Sequence, residues 1–154
     1  NNNKKILDTL KSRCLTYKVN LTFDDSIYIT NKLINENILN LLNIDLINYY
    51  NTPGDFVNLI KFSKLNNLDL KEFNLGNFLS LLINEKYYKK DDFMKSYIFN
   101  FIEIYFLKIF RQSIDKNNII NFYSKFIRKI NDTNKFNLDQ DSLFMELKSK
   151  ILNG

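Results

Sequence analysis

The run from Phe93 to Phe110 constrains the fold of this chain more than any other stretch. It reads "FMKSYIFNFIEIYFLKIF" and places large apolar side chains on almost every side of a helix. A helix of this kind must be covered on most sides, so we expect it at the centre of a helical bundle. Two lysines, an asparagine and a glutamate interrupt the run, and a membrane span tolerates such residues poorly. The stretch therefore predicts a buried central helix in a mainly α fold.

The first half of the chain carries shorter signals. Residues 15–21, "LTYKVNL", alternate apolar and polar side chains and predict one short strand. A helix to about Ile34 follows, with Asp24 or Asp25 as its cap. One or two short helices fit residues 36–50. Thr52 as N-cap and Pro53 as first helical residue then predict a helix to about residue 63.

The second half, after the connector "KLNNLDLKE", predicts four helices. Their expected ranges are about 71–84, 92–114, 117–131 and 140–152. Asp91 or Asp92 is the expected cap of the central helix, and Asp139 that of the last one. The chain begins "NNNKKILD" without a methionine, which is typical of a piece of a longer protein.

Composition excludes several kinds of chemistry. The 154 residues include one cysteine and no histidine, so no disulfide can form within the chain and a zinc site lacks its usual ligands. General acid–base catalysis by histidine is excluded as well. A single cysteine fits a reducing compartment, and we expect a cytoplasmic protein. No phosphate-binding loop is present, because none of the three glycines precedes Lys-Ser or Lys-Thr.

Three groups of residues have both a structural and a functional interpretation. The carboxylate pairs Asp24/Asp25, Asp91/Asp92 and Asp139/Asp141 each precede a helix, so capping is favoured over a metal or acid–base site. Tyr49–Tyr50 and Tyr87–Tyr88 can stack on bases, but packing at helix ends is favoured. The net charge is +5. A solvated helix face is favoured over phosphate contact for the basic residues Lys116, Lys125, Arg128, Lys129 and Lys135.

The stretch "ILDTLKSRC" is the one signal of a specific function. Arg13 stands between Ser12 and Cys14, directly before the predicted strand. Its guanidinium is always charged and suits phosphate oxygens, although by chemistry alone a surface ion pair is the favoured explanation. The stretch resembles the Ser-Arg-Cys motif of the clamp-loader family of AAA+ ATPases, which load the ring-shaped sliding clamp onto DNA. The matching residues are Ile6, Leu7, Thr9, Leu10, Ser12, Arg13 and Cys14, while Asp8 replaces the usual proline.

A second stretch, "YNTPGDFVNL", is similar to the family's Gly-Ser-Pro-Gly-Arg-like motif, which opens a helix of the lid domain. Thr52, Pro53 and Gly54 match, and Asp55 stands where the family has an arginine that senses nucleotide. An aspartate there would repel a triphosphate, so we expect a subunit that does not hydrolyse ATP itself. On local physics, Thr-Pro-Gly is equally well explained as a helix start.

The resemblance implies three parts. Residues 1–21 would be the end of the AAA+ large domain, 22–68 a helical lid, and 69–154 a helical collar that joins subunits into a ring. Arg13 would act as an arginine finger towards ATP on a neighbouring subunit, with Thr9, Ser12 and Cys14 as supporting residues.

The chain would hold no cofactor or metal of its own, with ATP and magnesium bound by that neighbour. Its partners would be the motor and delta-type subunits directly, and the sliding clamp and primer–template DNA indirectly, with no membrane involved.

The chain would then belong to the bacterial DNA polymerase III holoenzyme without being catalytic alone. Two alternatives stay open: a helical protein-interaction module with no ATP-linked role, and a fragment of the motor subunit of the same machine. The sequence upstream distinguishes them, because a motor requires a phosphate-binding loop there.

Overall fold

A computed structural model of the chain describes residues 21–136 and 138–152, and within these ranges the protein is mainly α, as predicted. A 3₁₀ turn at Ile44–Leu46 and a π-helical turn at Lys148–Leu152 accompany the α-helices. The α-helices are α1 (Phe23–Ile34), α2 (Ile38–Leu41), α3 (Pro53–Leu65), α4 (Leu75–Asn84), α5 (Tyr87–Lys90), α6 (Asp92–Gln112), α7 (Lys116–Phe136) and α8 (Gln140–Leu147). The predicted strand lies outside the described residues except for Leu21, which has no regular structure.

The start of α1 corrects one predicted cap. Thr22, and neither Asp24 nor Asp25, is the N-cap, and its hydroxyl accepts a hydrogen bond from the backbone N–H of Asp25 at 3.1 Å. The Asp25 carboxylate accepts in return from the backbone N–H of Thr22 at 3.2 Å. This reciprocal pair is a capping box, and the sequence signal for it was the Thr-x-x-Asp spacing.

The helices of the second half differ from their predicted ends. Helix α4 begins at Leu75 after the cap residue Asn74, four residues later than expected. Asp91 caps α6 by accepting from the backbone N–H of Met94 at 2.8 Å, as one of the two predicted alternatives. Helix α7 runs on to Phe136, through most of the segment that was expected to separate the last two helices. Asp139 is the N-cap residue of α8, as predicted, but its side chain makes no capping hydrogen bond.

Helix α6 is central, but it is enclosed only as far as Phe106. It contacts α4, α5 and α7. Phe101 lies edge-on to Phe78 of α4, with ring centroids 5.3 Å apart. The buried side chains of α6 are Met94, Tyr97, Ile98, Phe101, Ile102 and Phe106. Beyond Phe106 the apolar side chains are only partly covered, and Leu107 is 50% exposed. The expectation of cover on most sides therefore holds as far as Phe106 and not beyond it.

Contacts also cross the connector between the two predicted domains. Phe62 of α3 lies edge-on to Tyr87, with ring centroids 4.9 Å apart. The Lys108 ammonium of α6 donates to the Asp45 carboxylate at 2.6 Å. Buried apolar residues on both sides of the connector belong to one hydrophobic cluster. The division at 68/69 stays a prediction.

Candidate functional site

The Ser-Arg-Cys motif lies outside the described residues. Thr9, Ser12, Arg13 and Cys14 all fall within residues 1–20. Their assignment therefore stays a prediction from the sequence.

The second motif forms the first turn of α3, as its capping residues predict. Thr52 is the N-cap and Pro53 the first helical residue. The Asp55 carboxylate accepts from the backbone N–H of Thr52 at 2.9 Å and from its hydroxyl at 2.8 Å. The backbone N–H of Asp55 donates to the Thr52 hydroxyl oxygen at 3.2 Å. Asp55 thus completes a second capping box, and its negative charge lies at the positive end of the helix dipole.

This arrangement decides what the turn can bind. The Asp55 carboxylate already occupies the place where a helix N-terminus otherwise attracts an anion. Burial raises the pKa of Tyr97 on α6, and the charge of Asp55 raises the pKa of that hydroxyl further. Gly54 has open space around it, since an added Cβ would meet only the Thr52 hydroxyl at 3.7 Å. The turn is therefore a stable helix start that disfavours a phosphate group.

The residue before this turn carries a buried polar group. Asn51 is 3% exposed. Neither its amide nitrogen nor its carbonyl oxygen hydrogen-bonds within the part of the chain that the structure describes. An unpartnered buried amide costs about 1–3 kcal/mol of stability.

The predicted carboxylate pair Asp139/Asp141 serves an ion cluster between α5 and α8. Asp141 accepts from the Lys86 ammonium at 2.8 Å and from the Tyr88 hydroxyl at 2.6 Å, and it pairs with Lys89. The hydrogen bonds from Lys86, Lys89 and Tyr88 hold the pKa of Asp141 well below its usual range. Burial is the main cause that raises the pKa of Tyr88. The cluster attaches α8 to the bundle. The Asp141 carboxylate is bound by these three side chains and does not cap the helix.

An open apolar groove lies where the cover of α6 ends. It has a volume of about 530 Å³ and runs between α6 and α7. Leu107 and Ile120 are each about half exposed in it, and Tyr50, at its rim, is 86% exposed. The groove is lined by Phe106, Leu107 and Phe110 of α6 and by Ile119, Ile120 and Tyr123 of α7. Concave, mostly apolar pockets of this volume are the usual form of a binding site.

A second, basic groove lies between α7 and the C-terminal segment. It has a volume of about 360 Å³. Three of the five basic residues singled out in the sequence line it, namely Lys125, Arg128 and Lys129, together with Lys150. Lys116 and Lys135 do not line it and lie over the rings of Phe110 and Phe136.

The described residues were also compared with the requirements of a metal site and of a membrane-spanning helix. In residues 21–136 and 138–152, no group of three or more His, Cys, Asp or Glu side chains is placed to hold a metal ion. Among the same residues, no helix combines the length and the apolar character needed to cross a membrane.

The comparisons with known proteins were negative. No protein-family model matches the chain, and neither a curated protein nor a solved structure is significantly similar to it. The function is therefore inferred from the two sequence motifs and from the apolar and basic grooves.

Both grooves were missed by the sequence reasoning. The signal for the apolar groove was present, because Leu107, Phe110 and Ile120 exceed what one bundle core requires. The signal for the basic groove was the spacing of Lys125, Arg128 and Lys129 on one helical face. Neither spacing states which neighbouring helix leaves the face open.

Proposed function

We propose that this chain is the C-terminal part of a clamp-loader subunit of the bacterial DNA polymerase III holoenzyme, of the delta-prime type. In this role it works in the cytoplasm, does not hydrolyse ATP itself and assembles with motor and delta-type subunits through its helical collar. Arg13 reaches ATP–magnesium bound by the neighbouring motor subunit, and the complex acts on the sliding clamp and primer–template DNA.

The observation that carries the proposal is the stretch Ile6–Cys14, in which Arg13 stands between Ser12 and Cys14. During phosphoryl transfer, negative charge gathers on the outer oxygens of the transferred group, and a preplaced guanidinium stabilises it. Arginine fingers of this kind contribute about 10³–10⁵ to the rate. Ser12 and Cys14 would fix the turn that presents the guanidinium, and Thr9 would anchor the segment before it.

The geometry at Asp55 supports a non-motor subunit. In the motor reading, this position carries an arginine that attracts the subunit's own nucleotide. Here it carries a carboxylate held by two hydrogen bonds from Thr52. A triphosphate brought to this helix end would meet a fixed negative charge, so the motor alternative is disfavoured.

The apolar groove supports the assembly role. A collar must offer apolar surface to neighbouring subunits, and such surface lies open on α6 and α7. The interaction-module alternative uses the same groove without any link to ATP. Assembly alone therefore does not separate the two functions, whereas hydrolysis in the assembled complex does.

The assembly role is tested with the full-length protein and the other purified clamp-loader subunits. We expect Leu107→Asp combined with Ile120→Asp to lose complex formation in size-exclusion chromatography, because two charges would be buried in the interface. The matched control is Leu33→Asp combined with Leu65→Asp. These leucines are 63% and 79% exposed and lie outside the groove, so the control should assemble normally.

Circular dichroism must show that both double variants fold. Normal assembly of the groove variant would contradict the collar role of this surface. We also expect Arg13→Ala to assemble normally, since its predicted role begins only after the ring has formed.

A further inference from the structure

The basic groove combines cations from two parts of the chain. Lys125, Arg128 and Lys129 project from α7, and Lys150 projects from the C-terminal π-helical turn. Among the residues that the structure describes, Glu146 is the only carboxylate that lines the groove. Four cations against one carboxylate leave a net charge of +3 in a concave surface.

The pairing inside the groove leaves two cations available. Glu146 accepts from Lys150 at 2.9 Å and also from Lys129. These hydrogen bonds lower the pKa of Glu146, so it stays ionised and holds both lysines in place. Lys125 and Arg128 are exposed and form no ion pair within the described ranges. Asp132 lies one turn further along α7 and lines the neighbouring cleft instead.

The other side chains that line the groove are aromatic and amide groups. Asn118 and Asn121 continue the helical face of Lys125 towards the start of α7. From residue 118 to residue 129 this face is about 16 Å long. The half-buried ring of Phe122 also lines the groove, and the Lys150 ammonium lies over this ring, 5.9 Å from its centroid.

We propose that this groove binds single-stranded nucleic acid. The positive charge attracts the phosphate backbone, which has no sequence preference. The Phe122 ring offers a surface on which one base can stack once the Lys150 ammonium above it turns to a phosphate, and stacking requires an unpaired base. The two asparagine amides can donate to and accept from base edges. A lipid surface would instead require exposed apolar side chains beside the cations, whereas the exposed uncharged side chains that line this groove are Asn118 and Asn121.

This inference goes beyond the clamp-loader proposal and needs neither Arg13 nor a ring of subunits. It can fail while the clamp-loader proposal holds, because that proposal assigns no DNA contact to this chain. It can also hold if Arg13 proves to be a structural residue.

The test uses the full-length protein, a fluorescein-labelled oligothymidylate and fluorescence anisotropy. Lys125→Gln combined with Arg128→Gln removes two exposed cations that form no ion pair within the described ranges. If each contacts one phosphate, affinity should fall by about 10^1.4, or roughly 25-fold, at 0.1 M salt. The slope of the logarithm of the association constant against the logarithm of the salt concentration is negative, and it should become less steep by about 1.4 between about 50 and 200 mM salt.

The matched control is Lys61→Gln combined with Lys64→Gln. These exposed lysines have the same i, i+3 spacing on α3, away from the groove, and the control removes the same charge. A nonspecific effect of net charge would weaken both double variants equally, and that result would overturn the proposal. An unchanged affinity of the groove variant would also overturn it.

Phe122→Leu separates stacking from charge. It should weaken binding by about 5-fold or more without a change in the salt slope. If it leaves affinity unchanged, the groove is not a single-strand site and the proposal is wrong. Phosphatidylserine–phosphatidylcholine vesicles provide the last comparison. If the groove variant loses vesicle binding while oligonucleotide binding is unaffected, the site is a lipid site.

Discussion

Replacing Asp55 by arginine tests the geometry at the start of α3. The substitution removes the acceptor for two hydrogen bonds from Thr52, which span 2.9 and 2.8 Å. The loss of a capping contact costs about 1 kcal/mol. The change also exchanges a negative for a positive charge at the helix N-terminus, which costs about 1 kcal/mol more. We therefore expect the free energy of unfolding to fall by about 2 kcal/mol.

The matched control is Asp92→Arg in the first turn of α6. Asp92 is exposed and accepts no hydrogen bond within the described ranges, so its replacement changes only the charge at a helix N-terminus. We expect a loss of about 1 kcal/mol for this control. Urea unfolding followed by circular dichroism gives both values, provided that the slopes with denaturant agree. Equal losses for the two variants would refute the capping role of the Asp55 carboxylate.

Three further predictions concern stability. The pKa of Asp141 is lower in the folded state than the ordinary value of 3.8. As the pH drops through this value, the unfolded state therefore binds more protons than the folded state, and the free energy of unfolding decreases. Asp141→Asn should therefore flatten the loss of stability between about pH 5 and pH 2, whereas Asp132→Asn, an exposed carboxylate without an ion pair in the described ranges, should not. Gly54→Ala should stabilise the protein by about 0.5 kcal/mol, whereas Gly76→Ala should not, because its Cβ would meet a tyrosine ring at 3.2 Å; thermal melts would contradict this if both changes had the same sign. Asn51→Leu should raise the free energy of unfolding by about 1 kcal/mol, and a lower value would mean that this amide has a partner.

The sequence predicted the helices well where their ends carry a chemical signal. Thr52 and Pro53 fixed the start of α3, and Asp91 fixed that of α6. Where no such signal exists, prediction failed. Helix α7 continues past residue 131 because the polar segment there contains neither proline nor glycine to end it. The position of Asp139 as the N-cap of α8 was predicted correctly, but its spacing does not reveal that its carboxylate makes no capping hydrogen bond and lies 3.5 Å from the Lys89 ammonium across the fold.

The candidate surfaces were predictable only in composition. The excess of apolar residues on α6 and of cations on α7 is visible in the sequence. Which part of each face stays open depends on how α6, α7 and the C-terminal turn pack against one another. Those packing contacts join residues far apart in the chain, and helical periodicity carries no information about them.

The most direct test of the clamp-loader account is ATP hydrolysis by the reconstituted complex, stimulated by DNA and sliding clamp. The full-length protein is compared with Arg13→Ala and with Lys11→Ala, a control that removes a neighbouring positive charge. The account predicts that Arg13→Ala lowers the rate by about 100-fold or more with assembly intact, while Lys11→Ala leaves it nearly unchanged. An unchanged rate for Arg13→Ala would contradict the finger assignment and leave the chain as a helical assembly module.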